Sequence, residues 1–139
     1  MKVVLDTNII VSAFLKPRSK PARILRLVLQ GDLFIVCNEH ILAEYLEILK
    51  RPKFELNPRR VQTILVFIRS RGINAPALPY PVDLPHSDDE PFLEAALSTG
   101  ADALVTGNTR HFPEKACMGL TVLSPAEFLQ MLPLPIPTS

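Results

Sequence analysis

Residues 3–15 read VVLDTNIIVSAFL, and the reading of Asp6 within them decides the fold. Val3, Val4 and Leu5 have the composition of a buried strand, and Ile9, Ile10 and Val11 resume the apolar run after Asp6, Thr7 and Asn8. A carboxylate between two segments that both favour burial is tolerated where a strand ends and the chain turns. The stretch therefore reads as a strand over Lys2–Leu5 followed by a short helix over Thr7–Leu15. An aspartate at such a junction also serves simply as the helix N-cap, and on its own Asp6 does not separate the two roles.

The rest of the chain repeats this alternation. Basic residues 16–21, KPRSKP, form a loop, with Pro21 suited to a first helical turn. Ile24, Leu27 and Val28 follow at helical spacing up to Gly31. Leu33–Cys37 reads as a second strand, and Asn38 caps a helix from Glu39 to about Lys50. Asn57-Pro58 opens another amphipathic helix that runs to Gly72. Residues 74–91, NAPALPYPVDLPHSDDEP, read as one loop or short edge strand. Phe92–Thr99 is a helix stopped by Gly100. Ala103–Gly107 and Leu120–Ser124 are the last strands. Ser124-Pro125-Ala126-Glu127 is a capping box. Strands alternating with helices predict an α/β/α sandwich around a mostly parallel sheet. Residues 1–132 form the expected domain, and residues 133–139 a C-terminal tail.

Composition bounds what such a domain can be. The 139 residues are 47% hydrophobic and 21% charged, enough for one sizeable core. No apolar run approaches a membrane span of about 20 residues. Asp6 interrupts the first apolar segment too early for a signal peptide. The two cysteines, Cys37 and Cys117, make no disulfide framework, which suits a reducing cytoplasm. Cys37 and His40 lack the further ligands of a zinc site. The net charge of +1 hides an asymmetry: residues 16–71 hold twelve Lys or Arg against five acids, and residues 72–139 hold two against eight. A basic segment beside an acidic one suits a polyanion-binding side next to an acidic spot, although solvated helix faces carry such charge too.

The acids have a pattern. Glu44 shares a helical stripe with Cys37, Ile41 and Ile48 and has no partner three or four residues away, so it needs compensation from elsewhere in the fold. Glu47 has Arg51 at i+4. Asp88, Asp89 and Glu90 stand together before a helix, where acids suit the helix dipole, but three exceed what capping requires. Thr106 and Asn108 follow a strand, as Asp6 does. In a parallel sheet such positions gather along one edge. The result is a set of hard oxygen donors suited to Mg2+ or Mn2+, and such an ion brings phosphate chemistry within reach. Acids for the metal and bases for a polyanion backbone point to a nuclease. No GxGxxG or Walker loop occurs, and no lysine in Leu120–Pro125 serves a phosphate-accepting signalling domain.

At these residues the chain resembles the PIN-domain nucleases. Asp6 in LDTNIIVSAF (5–14), Glu44 in LAEYLEILKRPKF (42–54), the acids of DDEPFLEAAL (88–97) and GADALVTGN (100–108) occur in that family's order. They look most like the VapC-like toxins of toxin–antitoxin pairs. The resemblance implies a three-layer α/β/α fold and divalent-metal-dependent hydrolysis of RNA. It also implies an inhibitory antitoxin partner, and homodimers are common among such relatives; Leu25, Leu29 and Leu42 suit either an interface or the core. Carried over by position, Asp6, Glu44 and Asp89 match the catalytic, metal-holding acids, with Asp88 as the adjacent alternative to Asp89. The fourth acid falls on Asn108, an amide that can coordinate through its carbonyl oxygen but adds no charge. Thr7, Asn8 and Thr106 are expected to support the ligands; Arg110 reads equally as a phosphate contact or a solvated loop arginine, and His86 as a loop histidine before it reads as a phosphate contact. A PIN-like binding module with weakened chemistry is the alternative that Asn108 raises.

Overall fold

The computed structural model describes residues 1–76 and 81–133. Part of the proline-rich loop and almost all of the expected tail lie outside the described residues.

Five strands, β1 (Lys2–Leu5), β2 (Phe34–Cys37), β3 (Ile73–Asn74), β4 (Ala103–Val105) and β5 (Val122–Leu123), form one sheet in the order β3-β2-β1-β4-β5. Every pairing is parallel. Among the described residues six helices flank it: α1 (Thr7–Leu15), α2 (Lys20–Leu29), α3 (Glu39–Leu49), α4 (Pro58–Arg71), α5 (Glu90–Thr99) and α6 (Pro125–Met131). α1 packs on α2, and α6 closes on α2, β4 and β5. α5 lies against β1, β2 and β4 and touches α3, which packs with α4. This is the three-layer α/β/α arrangement expected from the alternating pattern. With both faces covered, the central strands can be apolar throughout. Val3, Val4, Leu5, Ala103, Leu104 and Val105 have no exposed surface.

The strand order carries the functional consequence. From β1 the chain moves outward to β2 and β3, then crosses back to place β4 on the other side of β1. Such a reversal leaves a crevice beyond the carboxyl ends of the two strands, here β1 and β4. The Asp6 amide donates to the Val105 carbonyl at 2.9 Å, so the residues that leave both strands start side by side.

Several boundaries differ from the expectation for local reasons. β4 stops at Val105; beyond it the Thr106 hydroxyl and the Gly107 amide bond to Asp6 and Asn8 of the neighbouring turn. β5 shrinks to two residues at the sheet edge. α5 begins at Glu90, and the edge strand β3 precedes the prolines rather than lying among them. α3 ends at Leu49, so Arg51 is extended (φ −61°, ψ 130°) beyond the helix and does not pair with Glu47. Leu25 and Leu42 belong to the buried core and Leu29 packs half-buried against it. Both cysteines are buried and free. Burial, with a smaller push from Glu39, raises the Cys37 thiol to about 11, so at neutral pH it is a small apolar side chain. Among the described residues no helix is long and apolar enough to cross a membrane.

Gly72 joins α4 to β3 at a point with no room for a side chain. A Cβ there would lie 2.5 Å from the Ile68 carbonyl oxygen and 3.0 Å from both the Ile35 carbonyl oxygen and the Cys37 sulfur. Because two of these obstacles are backbone, Gly72→Ala is expected to cost about 1–3 kcal/mol. Chemical denaturation would report it as a lower midpoint with an unchanged slope.

Candidate active site

Asp6 ends β1 with its backbone extended and caps α1. One carboxylate oxygen accepts the Thr7 amide at 2.8 Å. The other accepts the Thr106 hydroxyl at 2.8 Å and the Asn8 side-chain amide at 3.3 Å. The Thr106 hydroxyl in turn accepts the Asn108 backbone amide at 3.0 Å, and the Asn8 side-chain oxygen accepts the Gly107 backbone amide at 3.0 Å. The turns leaving β1 and β4 are thereby laced together. Thr106 is fully buried and Asp6 is 5% exposed.

α3 brings Glu44 to the same place through its neighbour. Tyr45 is wholly buried and donates its hydroxyl to the Leu5 carbonyl, next to Asp6. Its ring also packs on Phe92 of α5, with centroids 6.4 Å apart. One helical position back from this anchor, Glu44 faces α1 and accepts the Thr7 hydroxyl. Thr7 is the partner that local sequence could not provide.

The three successive acids divide the work. Glu90 turns back, its carboxylate accepting the Leu84 amide at 3.0 Å, and so fixes the approach to α5. Asp88 stays exposed at the rim. Asp89 makes no side-chain cap for α5. Its carboxylate instead meets His111 Nδ1 at 3.1 Å, and the His111 ring lies 4.1 Å from that of His86, centroid to centroid. Sequence reading missed His111. The only local signal was a histidine three positions after Asn108 in a tight turn, and its partner lies 22 residues away.

These groups border one open concavity of about 450 Å³. Asp6, Thr7, Asn8, Glu44, Asp88, Asp89 and Asn108 all line it, together with His111. Thr106 lies beneath, bonded to Asp6. Arg110 and His86 do not line it; Arg110 is exposed on the adjoining turn, and His86 stacks on His111 from outside.

Burial raises the Asp6 carboxyl above its ordinary value, and the charges of Asp89 and Glu44 push the same way; the bonds from Thr106 and Thr7 oppose them. An oxygen-rich pocket whose buried carboxyl is disfavoured by neighbouring anions is chemically suited to a hard divalent cation. As placed, however, no three His, Cys, Asp or Glu side chains among the described residues enclose a metal-sized point. Glu44 and Asp89 are each drawn aside by their own partner, Thr7 and His111.

Comparison with known structures shows the same chain path. A structure of VapBC2 from Rickettsia felis, bound to a DNA fragment from its promoter, contains a chain 23% identical to this one. The match covers 89% of this chain and 98% of that one, with a TM-score of 0.57. A chain from FitAB bound to the IR36 DNA fragment is 19% identical, covering 88% and 94%, also with a TM-score of 0.57. At these identities the likeness establishes a shared fold. No curated protein matches significantly. Residues 2–110 match the PIN domain family model, a span that includes the whole concavity except His111, so the chain belongs to the PIN domain family.

Proposed function

We propose that this PIN domain is a Mg2+- or Mn2+-dependent endoribonuclease, the toxin of a toxin–antitoxin pair, acting in the cytoplasm. The observation that carries the reading is Asp6: a carboxylate buried at the sheet's reversal point, destabilised by burial and by Asp89 and Glu44. Membership of a family generally made up of nucleases supports it, as does the basic character of residues 16–71. The toxin role, an antitoxin partner and a homodimer rest on the resemblance of the motifs and on the likeness to chains of VapBC2 and FitAB. The activity is assigned to residues 1–132, with 133–139 as a tail.

In this reading Asp6, Glu44 and Asp89 hold the cation, with Asn108 contributing its carbonyl oxygen. When bound, such an ion supplies activation of water for in-line attack and neutralisation of the phosphoryl oxygens. Thr106 and the Thr7 amide fix the Asp6 carboxylate by hydrogen bonds to both oxygens, so its orientation is set before substrate arrives. Tyr45 fixes the height of α3 and therefore of Glu44. His111 orients Asp89. The apolar layer below Asp6 excludes water and strengthens every charge interaction above it.

Calorimetric titration with Mn2+, with single-stranded RNA cleavage followed in the same buffers, tests this. The original protein is expected to bind the ion and cut RNA, and Asp89→Asn to weaken both by tenfold or more. Cleavage that persists in EDTA, or that Asp89→Asn leaves untouched, would overturn the assignment. A second reading, an RNA- or protein-binding module, is favoured by Asn108 standing where a fourth acid is expected. Absence of both metal binding and cleavage in the pure protein is its expected result.

A further inference from the structure

The acid-lined concavity continues past the acids. Its walls are α1 and α3, and beyond Asp6 and Glu44 it is bordered by Val11 and Ser12 on one side and Ile48 on the other. These residues extend the stripes that begin at Thr7, Asn8 and Glu44 by one helical turn. A further turn brings α1 to Leu15, an apolar side chain 41% exposed, and to its C-cap Lys16. Three residues beyond Ile48 stands Arg51. From the first turn of α4, the Arg60 guanidinium lies 5.9 Å from the centre of the Phe14 ring.

The loop between α1 and α2, with Lys16 and Arg18, and the first turn of α4, with Arg60, therefore both bring basic residues to the far end of α1. The loop that carries Lys16 and Arg18 is tied down. Arg26 donates to the Pro17 carbonyl at 2.9 Å, and the Ser19 hydroxyl donates to the Lys16 carbonyl at 2.6 Å. Lys16, Arg18, Arg51 and Arg60 are all exposed. Among the described residues none of them pairs with a carboxylate, the ion pairs being Arg69–Glu39 and His111–Asp89. Unneutralised like charges repel one another and are relieved by a polyanion. α1 is nine residues long, so the acids and the bases are separated by about 13 Å along its axis.

We infer that the α1–α3 groove is a track for a single nucleic-acid strand, which runs from the carboxylates along α1 to Lys16, Arg18 and Arg60. This rests on the reading of the acids as a phosphodiester-cleaving site. The scissile phosphate lies at the acid end, and phosphates several nucleotides to one side lie on the bases. A concavity of about 450 Å³ is of small-ligand size, with room for a nucleotide or two of a single strand. Leu15 lies at the basic end beside Lys16, an exposed apolar surface against which a base can rest. Cleavage is then length-dependent: strands too short to reach the bases are cut poorly.

The test is fluorescence anisotropy of a labelled twelve-nucleotide oligouridine in EDTA over a range of salt concentrations, with the original protein, R18E/R60E, R18K/R60K and R71E. Arg71 closes α4 eleven residues from Arg60, about 16 Å along the axis, and serves as a charge control. R18E/R60E is expected to bind tenfold or more weakly, with a salt slope smaller by about 1.4, two contacts at about 0.7 each for single strands. R18K/R60K and R71E should stay within about threefold of the original. Equal binding by R18E/R60E, an equal loss in R71E, or no binding by the original protein overturns the track. So does tighter binding of a twelve-residue oligoglutamate, which would make an acidic protein segment the occupant. Loss of oligouridine binding in R18E/R60E, in a protein that never cleaves RNA in Mn2+, upholds the track and removes the nuclease reading alone.

Discussion

Asp6→Asn is expected to melt a few degrees higher than the original protein at pH 7 in EDTA, while losing about 10²–10³-fold in RNA cleavage. That activity loss equals about 2.7–4 kcal/mol of transition-state stabilisation, the scale of one well-placed electrostatic group. The stability gain follows from linkage. Burial first, then Asp89 and Glu44, hold the Asp6 carboxyl above its unfolded value of about 3.9. The folded state therefore binds this proton more tightly than the unfolded state, and ionisation of Asp6 costs stability as pH rises from the unfolded value through the folded one. Above that window the cost is complete; below about pH 4 it disappears, and the two proteins should melt together. An asparagine keeps an oxygen for the Thr7 amide, and its amide can donate to the Thr106 hydroxyl, which retains a free lone pair; the donations from the Thr106 hydroxyl and, at 3.3 Å, from the Asn8 side-chain amide are lost, a smaller cost than the relieved buried charge. Added Mn2+ should reverse the order, because an ion that binds only the folded original raises its melting temperature by mass action. Melting curves at pH 4 and 7, with EDTA and with Mn2+, measure all of this. A variant less stable at pH 7 in EDTA would mean that the bonds around Asp6 outweigh its burial.

The same residue marks the boundary of what sequence can reveal. Asp6 announced itself because a carboxylate inside an apolar run has few physical explanations. Glu44 did so through helical phase, since a charge on a stripe with Ile41 needs a partner that its own helix does not supply. Both inferences use only local periodicity. Their partners could not be reached that way: Thr106 is 100 residues from Asp6, and Thr7 is 37 from Glu44. The strand order, which puts the turn after β4 beside the turn after β1, is what brings them together. The run Asp88-Asp89-Glu90 shows the opposite limit. Its composition signalled an acidic site, but three adjacent acids of like chemistry cannot be told apart until the fold directs Glu90 to Leu84, Asp89 to His111 and Asp88 to the rim. Short strands were misplaced at their ends for a related reason: Thr106 has a β-former's side chain and its amide still bonds to the Leu123 carbonyl, but its hydroxyl is committed to Asp6 and the strand ends one residue before it.

Asn108→Asp is expected to raise Mn2+ affinity by about tenfold, roughly 1.4 kcal/mol, and to lower stability slightly in EDTA. Asn108 lines the concavity that Asp6, Glu44 and Asp89 share, yet its own side chain is exposed. A carboxylate there borders the same concavity as three others, but solvent screens its repulsion toward them in the empty protein. A bound dication is attracted by all four at once, and each new ligand charge strengthens a site whose donors are hard oxygens. The gain on binding therefore exceeds the cost in the metal-free fold. Calorimetry on both proteins, with melting curves in EDTA, separates the two terms. An unchanged affinity would place residue 108 outside the ion's coordination and leave the three acids to hold it alone. A tenfold gain accompanied by faster cleavage would show that the amide limits a working nuclease. The same gain with no cleavage in either protein would instead favour the binding-module reading, since restoring the missing charge would then have restored the metal without the chemistry.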